Sequence, residues 1–382
     1  MWKNDHEYKE IFTKEDFYKA NNITKKYIIE TPLTKLTKIS ERINKPVFIK
    51  DESVQNTNSF KQRGISYFVD KIIEEYETKD DLDMLSLVTQ STGNHGISML
   101  CTLYEIAKIN KDNKDHLIHK INPVIFASSS IGNIKHDKMK KYLMLFRTEI
   151  QDETRGDILT NYQDYAEALI AREEYMKNNE SVYITHASND TMIGHGTMAI
   201  EIKKQLTELG YDKNTKICFL AACGAGGPVG IGACLKHIYN HKNITFTIVQ
   251  THDQNALICS LLQNKIVYND EIDFVMPFNY ADGIGVDKPE EQVIEAAQSY
   301  ADIGITVNHY ETLMKSKDFI EDLEESYNKD KKNCVAGGST SAVYLAIEEY
   351  QEEKWFKNSD IIIMLGCEGN IDTVINDYIQ NL

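Results

Sequence analysis

The chain has 382 residues, 42% hydrophobic and 26% charged, enough for roughly two domains of about 150 residues each. Lys+Arg 42 against Asp+Glu 58 leaves a formal net charge of −16, which repels phosphate backbones and anionic lipid and excludes nucleic acid and membrane as expected partners. Seven scattered cysteines without a C-x-x-C pair argue against a disulfide framework, and the N-terminus "MWKNDHEYKEIF" has no apolar core, so a cytoplasmic protein is expected.

In chain order, "NTNSFKQRGISYFVDKIIEEY" (56–76) reads as a cap and an amphipathic helix, with Ile65, Phe68, Val69, Ile72 and Ile73 on one face. Lys61 falls at its start, where the helix dipole disfavours a positive charge and favours a neutral amine nucleophile; the plain alternative is a lysine extended into water. Then come short apolar runs, each followed by a helical pattern: "LSLVTQ" (85–90), "NPVIFAS" (122–128), "VYITHAS" (182–188), "KICFLAA" (216–222) and "ITFTIVQ" (244–250), with "IIIML" (361–365) last. A helix is expected through 198–209, where Met198, Ile202, Leu206 and Leu209 keep helical spacing before Gly210. Continuous apolar runs alternating with helices imply parallel βαβ units, hence an α/β protein with open sheets and ligands beyond the carboxyl ends of the strands.

Three of those strand ends carry candidate chemistry. In "QSTGNHG" (90–96), Ser91, Thr92 and Asn94 can cage a carboxylate at a helix N-terminus or simply cap it, and His95 reads as a local hydrogen-bonding residue, since no second ligand lies at metal spacing. In "CGAGGPVGIGAC" (223–234), the glycines let backbone N–H groups converge on an anion, or form a plain turn; no Lys-Ser/Thr follows, so it is not a Walker loop. In "GCEGN" (366–370), Cys367 follows a strand and is a core thiol or a site group. A lysine, an anion cage, a phosphate cradle and a small polar group suit a cofactor that carries both an aldehyde and a phosphate.

From "TPLTKL" (31–36) to "GCEGNID" (366–372), the chain resembles the fold-type II, tryptophan synthase β-like pyridoxal-phosphate enzymes, through "IKDESVQNTNSFKQRG", "STGNHG", "IGHGTMAIEI", "CGAGGPVG" and "DGIGV" in that order. The resemblance implies two open, mainly parallel twisted-sheet domains with pyridoxal 5'-phosphate in the cleft between them: residues 1–80 plus 190–382 as a large cofactor-binding domain and 81–189 as a small one. It implies that Lys61 forms the Schiff base, that Asn94 bonds the ring hydroxyl, and that Ser91, Thr92, Asn94 and His95 grip the substrate α-carboxylate. Gly224, Ala225, Gly226 and Gly227 would bind the phosphate, and Cys367 would face the pyridine nitrogen as a neutral partner; no residue is assigned as a metal ligand, although relatives often use an ion. Three departures stand out: Asn58 where glycine is common, Pro228 within the glycine run, and "CEGN" for "SGGN" or "CGGSN".

The favoured reaction is α,β-elimination of a small hydroxy amino acid, serine- or threonine-like and D-serine included, to a 2-oxo acid and ammonia. β-Replacement or threonine-synthase-like chemistry is the alternative, because "KDESVQNTNSFKQRG" looks equally like threonine synthase. A binding protein that kept the fold and lost catalysis is a third reading, against which Lys61 and both anion-binding loops count. A homodimer is expected from the family.

Overall fold

A computed structural model describes residues 1–79, 82–91, 93–129, 131–163, 165–269, 280–281, 283–328 and 334–369. Among these residues are eleven strands: β1 (Trp2–Lys3), β2 (Leu33–Leu36), β3 (Val47–Asp51), β4 (Leu85–Gln90), β5 (Ile121–Ser128), β6 (Asp157–Tyr162), β7 (Ser181–Tyr183), β8 (Ile217–Ala222), β9 (Ile244–Thr251), β10 (Ile303–Val307) and β11 (Ile361–Gly366). They form a seven-stranded sheet in the order β1-β10-β9-β8-β11-β3-β2 and a four-stranded sheet in the order β6-β5-β4-β7. The smaller sheet is parallel throughout; in the larger one only the edge strands β1 and β2 run antiparallel to their neighbours.

The apolar runs of the sequence fall in the middle of these sheets. "ICFLAA" and "IIIMLG" are buried at every residue, as strands covered on both faces must be. Each sheet has its own hydrophobic cluster, one around Phe219, Ile248 and Ile363, the other around Leu87, Ile97 and Ile125. The chain is thus an α/β protein of two parallel-sheet domains.

Two expectations shift. "VYITHAS" is a strand only over Ser181–Tyr183, and the following helix runs Asn189–Glu208, not 198–209. Ser188 caps it, its hydroxyl accepting the Thr191 N–H at 3.1 Å. The glycines that hide this helix in the sequence serve packing: a Cβ at Gly194 would lie 2.8 Å from Tyr67 Cβ, and one at Gly196 would lie 2.4 Å from the Phe17 ring. Close approach, to the helix Lys61–Tyr76 at Gly194 and to the helix Lys14–Thr24 at Gly196, outweighs the propensity cost of about 1 kcal/mol per glycine.

Candidate active site

Lys61 opens the helix Lys61–Tyr76, whose buried face contains Ile65, Val69, Ile72 and Ile73, with Phe68 partly buried. The turn before it is fastened to the end of β11. Phe60 N–H donates to Cys367 O at 3.1 Å, Gly369 N–H donates to Asn58 O at 2.9 Å, and Ser59 bridges Glu368 in antiparallel fashion. Asn58 has φ +55°, left-handed backbone that asparagine tolerates better than most residues, which accounts for its presence where glycine is usual. The Lys61 amine is half-buried and makes no hydrogen bond or ion pair with any described residue.

Beneath that turn lies a largely buried ion network, in which only Glu201 keeps some exposure, 13%. Arg63 Nε and Nη2 donate to Glu52 at 2.8 and 2.9 Å, and Nη1 and Nη2 donate to Glu201 at 2.7 and 2.9 Å. Lys50 Nζ donates to Glu201 at 2.7 Å and to Thr31 O at 2.6 Å. Burial alone would push the Arg63 guanidinium down, but Glu52 and Glu201 outweigh it and raise it. Two cations thus offset two carboxylates, and the network ties the start of the lysine helix to β3 and to the helix Asn189–Glu208.

On the facing side, Asn94 begins the helix Asn94–Ile109 at the end of β4. Ser91 Oγ accepts the N–H groups of Gly93 at 3.0 Å and Gly96 at 2.9 Å, which shapes the turn and leaves its own O–H to donate. Asn94 is buried, and its Nδ2 donates to Glu368 Oε2. Thr92 lies outside the described residues. His95 Nε2 contacts Ile184 O at 2.7 Å, so that nitrogen carries the proton and Nδ1 is a buried acceptor with no partner among the described residues.

Between β8 and the helix Gly227–Ile238, the amides of Gly224, Ala225, Gly226 and Gly227 donate no hydrogen bond to any described residue. Four such donors ahead of a helix N-terminus suit a phosphate. Pro228 sits in the first turn, where its missing N–H costs nothing. A Cβ at Gly224 would fall 2.3 Å from Ile284 O, a backbone atom that cannot swing aside. We expect Gly224→Ala to weaken phosphate-cofactor binding by at least about tenfold, ~1.4 kcal/mol, in an absorbance titration; unchanged affinity would argue against this loop.

Three imidazoles lie near enough to feel the Lys61 charge. His186 is pushed down to about 4 by burial and the Lys61 ammonium, and His195 to about 3 by burial, Lys61 and Arg63. Burial and His186 hold His95 well below the usual imidazole range. His195 Nδ1 accepts the Gly64 N–H at 3.3 Å, and its ring lies 4.9 Å from that of Phe60. These histidines are neutral in the folded chain, whereas an unfolded histidine titrates near 6.5. Their stabilising contribution is therefore complete above about pH 6.5 and is lost as pH falls towards 4 and 3, by up to about 1.4 kcal/mol per pH unit for each. The urea midpoint should fall between about pH 6.5 and pH 4.5, less steeply in His195→Gln; a flat midpoint over that window would contradict the cluster.

Cys367 is buried; its N–H donates to Thr340 Oγ1 at 3.0 Å and its thiol points to Leu365 O at 3.8 Å. Burial, then the Glu368 carboxylate, push the thiol well up, so it is a neutral group. The residue that motif reasoning passed over is Glu368 itself, whose one sequence signal was the departure "CEGN".

The pyridoxal-phosphate dependent enzyme profile matches residues 24–106 and 122–368. The chain belongs to this family. Its relatives include the L-threonine dehydratase biosynthetic IlvA of Haemophilus influenzae, 23% identical over 90% of this chain and 57% of that protein. The L-threonine dehydratase catabolic TdcB of Staphylococcus aureus is 24% identical over 94% of this chain and 88% of that one. The chain spans about half the length of the first curated relatives it matches, 57% of the Haemophilus enzyme and 46% of a tomato threonine dehydratase. Among solved structures, diaminopropionate ammonia lyase from Escherichia coli, in complex with D-serine, superposes with TM-score 0.77 at 15% identity, covering 100% of this chain and 96% of that one. A processed threonine deaminase isoform from Solanum lycopersicum gives 0.75 at 18%, with the same coverage. These neighbours share the fold.

The residues fit the family's cofactor, pyridoxal 5'-phosphate. The unengaged Lys61 amine suits an aldehyde, and the four unengaged glycine-loop amides suit a phosphate.

Proposed function

We propose that this chain is an ammonia-lyase that carries out α,β-elimination on a small hydroxy amino acid of the serine or threonine type, releasing a 2-oxo acid and ammonia. The observation that carries the reading is the half-buried Lys61 amine, engaged by no described residue, just after the turn fastened to the end of β11. The relatives named as threonine dehydratases supply the reaction class.

The chain's own groups divide the work. Ser91, Thr92, Asn94 and His95 bind the substrate α-carboxylate, aided by the positive end of the helix Asn94–Ile109. The Gly224–Gly227 amides anchor the phosphate, Asn94 orients the ring through its hydroxyl, and the neutral Cys367 thiol faces the ring nitrogen. Pyridoxal phosphate, when bound, withdraws electrons from the substrate α-carbon. Lys61 Nζ takes the α-proton; burial holds His95, His186 and His195 below the usual imidazole range, so they are weak bases and compete poorly for that proton. We assign residues 1–80 with 190–382 to the large domain and 81–189 to the small one, and we place the enzyme in the cytoplasm as a homodimer. None of its seven cysteines is in a disulfide, which supports a reducing compartment.

The test incubates the loaded enzyme with D- and L-serine, L-threonine and O-substituted serines, measuring 2-oxo acid and ammonia with and without an added thiol. Equimolar 2-oxo acid and ammonia without the thiol is the expected result. Product formed only when the thiol is present would replace elimination with β-replacement.

A further inference from the structure

Among the described groups that feel the Lys61 charge are His95, His186, His195 and Cys367. Three of these are engaged: His95 Nε2 with Ile184 O, His195 Nδ1 with the Gly64 N–H, and the Cys367 thiol with Leu365 O. His186 is half-buried, and neither of its ring nitrogens makes a hydrogen bond with a described residue. Its place is set by the backbone around it. β7 runs parallel to β4 with Tyr183 abreast of Val88, and the Ile184 N–H continues the ladder to Val88 O at 2.8 Å. Thr89 Oγ1 donates to Ile184 O at 3.0 Å, Ala187 N–H to Thr185 Oγ1 at 3.2 Å, and Thr191 Oγ1 to Thr185 O at 3.0 Å, so the chain is tied down on both sides of His186. It therefore leaves the sheet beside the turn that follows β4. There the His186 ring meets the His95 ring edge-on, 5.7 Å between centroids and 82° between planes.

A small hydroxy amino acid brings three polar groups to the site. In the reading above its α-nitrogen goes to the cofactor at Lys61, and its α-carboxylate goes to the turn of Ser91 and Asn94. The β-hydroxyl is left, and it both donates and accepts a hydrogen bond. A neutral imidazole offers one donor and one acceptor on a rigid ring, and burial with the Lys61 ammonium keeps His186 neutral by pushing it down to about 4. The ring stands against the carboxylate turn and within the field of Lys61, so its unengaged nitrogens border the space between those two anchors. We propose that His186 is a specificity-determining residue that hydrogen-bonds the substrate β-oxygen, holding the Cβ–O bond for departure and selecting substrates that carry an oxygen there.

The inference rests on the elimination reading and deepens it. The α-proton goes to Lys61 Nζ, the Cβ–O bond breaks, and its electron pair leaves with the oxygen. That oxygen takes the proton Lys61 has received and departs as water. His186 keeps its own proton throughout and only donates a hydrogen bond to the departing oxygen. Water then replaces the α-nitrogen, so one hydroxy amino acid gives one 2-oxo acid and one ammonia, without oxidant or reductant. A hydrogen bond to the leaving oxygen strengthens as charge develops there, so its loss lowers turnover more than binding.

The test compares serine and threonine with β-chloroalanine, in both configurations, on the holoenzyme of wild type, His186→Leu and His186→Asn. The visible absorption of bound cofactor reports that each variant is folded and loaded. Chloride leaves without a proton and gains little from a hydrogen-bond donor, so β-chloroalanine isolates the contact with oxygen. His186→Leu should lower kcat/KM for the hydroxy amino acid at least about tenfold more than for β-chloroalanine, mostly through kcat. His186→Asn, which keeps an N–H donor, should lose less. Equal losses for the two kinds of substrate, or none, would overturn the assignment and leave the elimination reading standing. So would a larger selective loss in His186→Asn than in His186→Leu. Hydroxy amino acids left unconsumed by the wild type would sink both.

Discussion

Lys61→Ala is expected to lose at least about 10³-fold in turnover, within the range that a positioned acid–base group supplies, together with the borohydride-sensitive visible absorption of the loaded enzyme. The loss should be chemical rather than structural. Lys61 Nζ contacts no described residue through a hydrogen bond or ion pair, so its removal breaks nothing in the fold. The thermal midpoint of the cofactor-free chain should therefore barely move. A variant that keeps the absorption band and turns over would dispose of the assignment.

Arg63→Met should do the reverse, acting first on stability. Arg63 is completely buried and serves Glu52 and Glu201 through four short hydrogen bonds. Without the guanidinium, two carboxylates face one ammonium, that of Lys50, in a largely buried site. Breaking a buried pair in this way costs about 3–5 kcal/mol, because the charge left behind is uncompensated. Urea denaturation of wild type and variant measures that cost directly, and a difference below about 0.5 kcal/mol would show that the network relaxes or takes up water. Because Arg63 lies two residues after Lys61, the surviving folded fraction should also hold cofactor less tightly.

How much of this was legible in the sequence depends on whether the signal was local. "LSLVTQ" and "IIIML" announced β4 and β11 because strands buried on both faces need uninterrupted apolar runs. β3 and β10 were passed over: "VFIKD" ends in a lysine that the buried pair with Glu201 makes tolerable and an aspartate that Ser53 and Tyr327 satisfy, and "IGITV" carries a glycine. The helix Asn189–Glu208 was entered late because its first turns carry Gly194 and Gly196, whose reason, close approach to two neighbouring helices, exists only in three dimensions. Asn58 and Pro228 looked like defects of the motif. Both have local explanations, a left-handed backbone and a first helical turn.

The site divides along the same line. Lys61, Asn94, the Gly224–Gly227 loop and Cys367 each stand at a strand end or helix start, where sequence pattern points. His186, in a run read as strand, and His195, inside a helix, reach Lys61 only through the tertiary fold, and nothing in their spacing announces it. Glu368 was visible only as an odd letter in "CEGN"; its burial and its contact with Asn94 exist only in three dimensions.

The central claim is that Lys61 is the amine that carries the cofactor. Borohydride reduction of the native loaded enzyme, followed by proteolysis and mass mapping, tests it most directly. The expected result is one reduced phosphopyridoxyl adduct per chain, on the peptide containing "NSFKQRG" and at Lys61. An adduct confined to another lysine, with Lys61 unmodified, would contradict it.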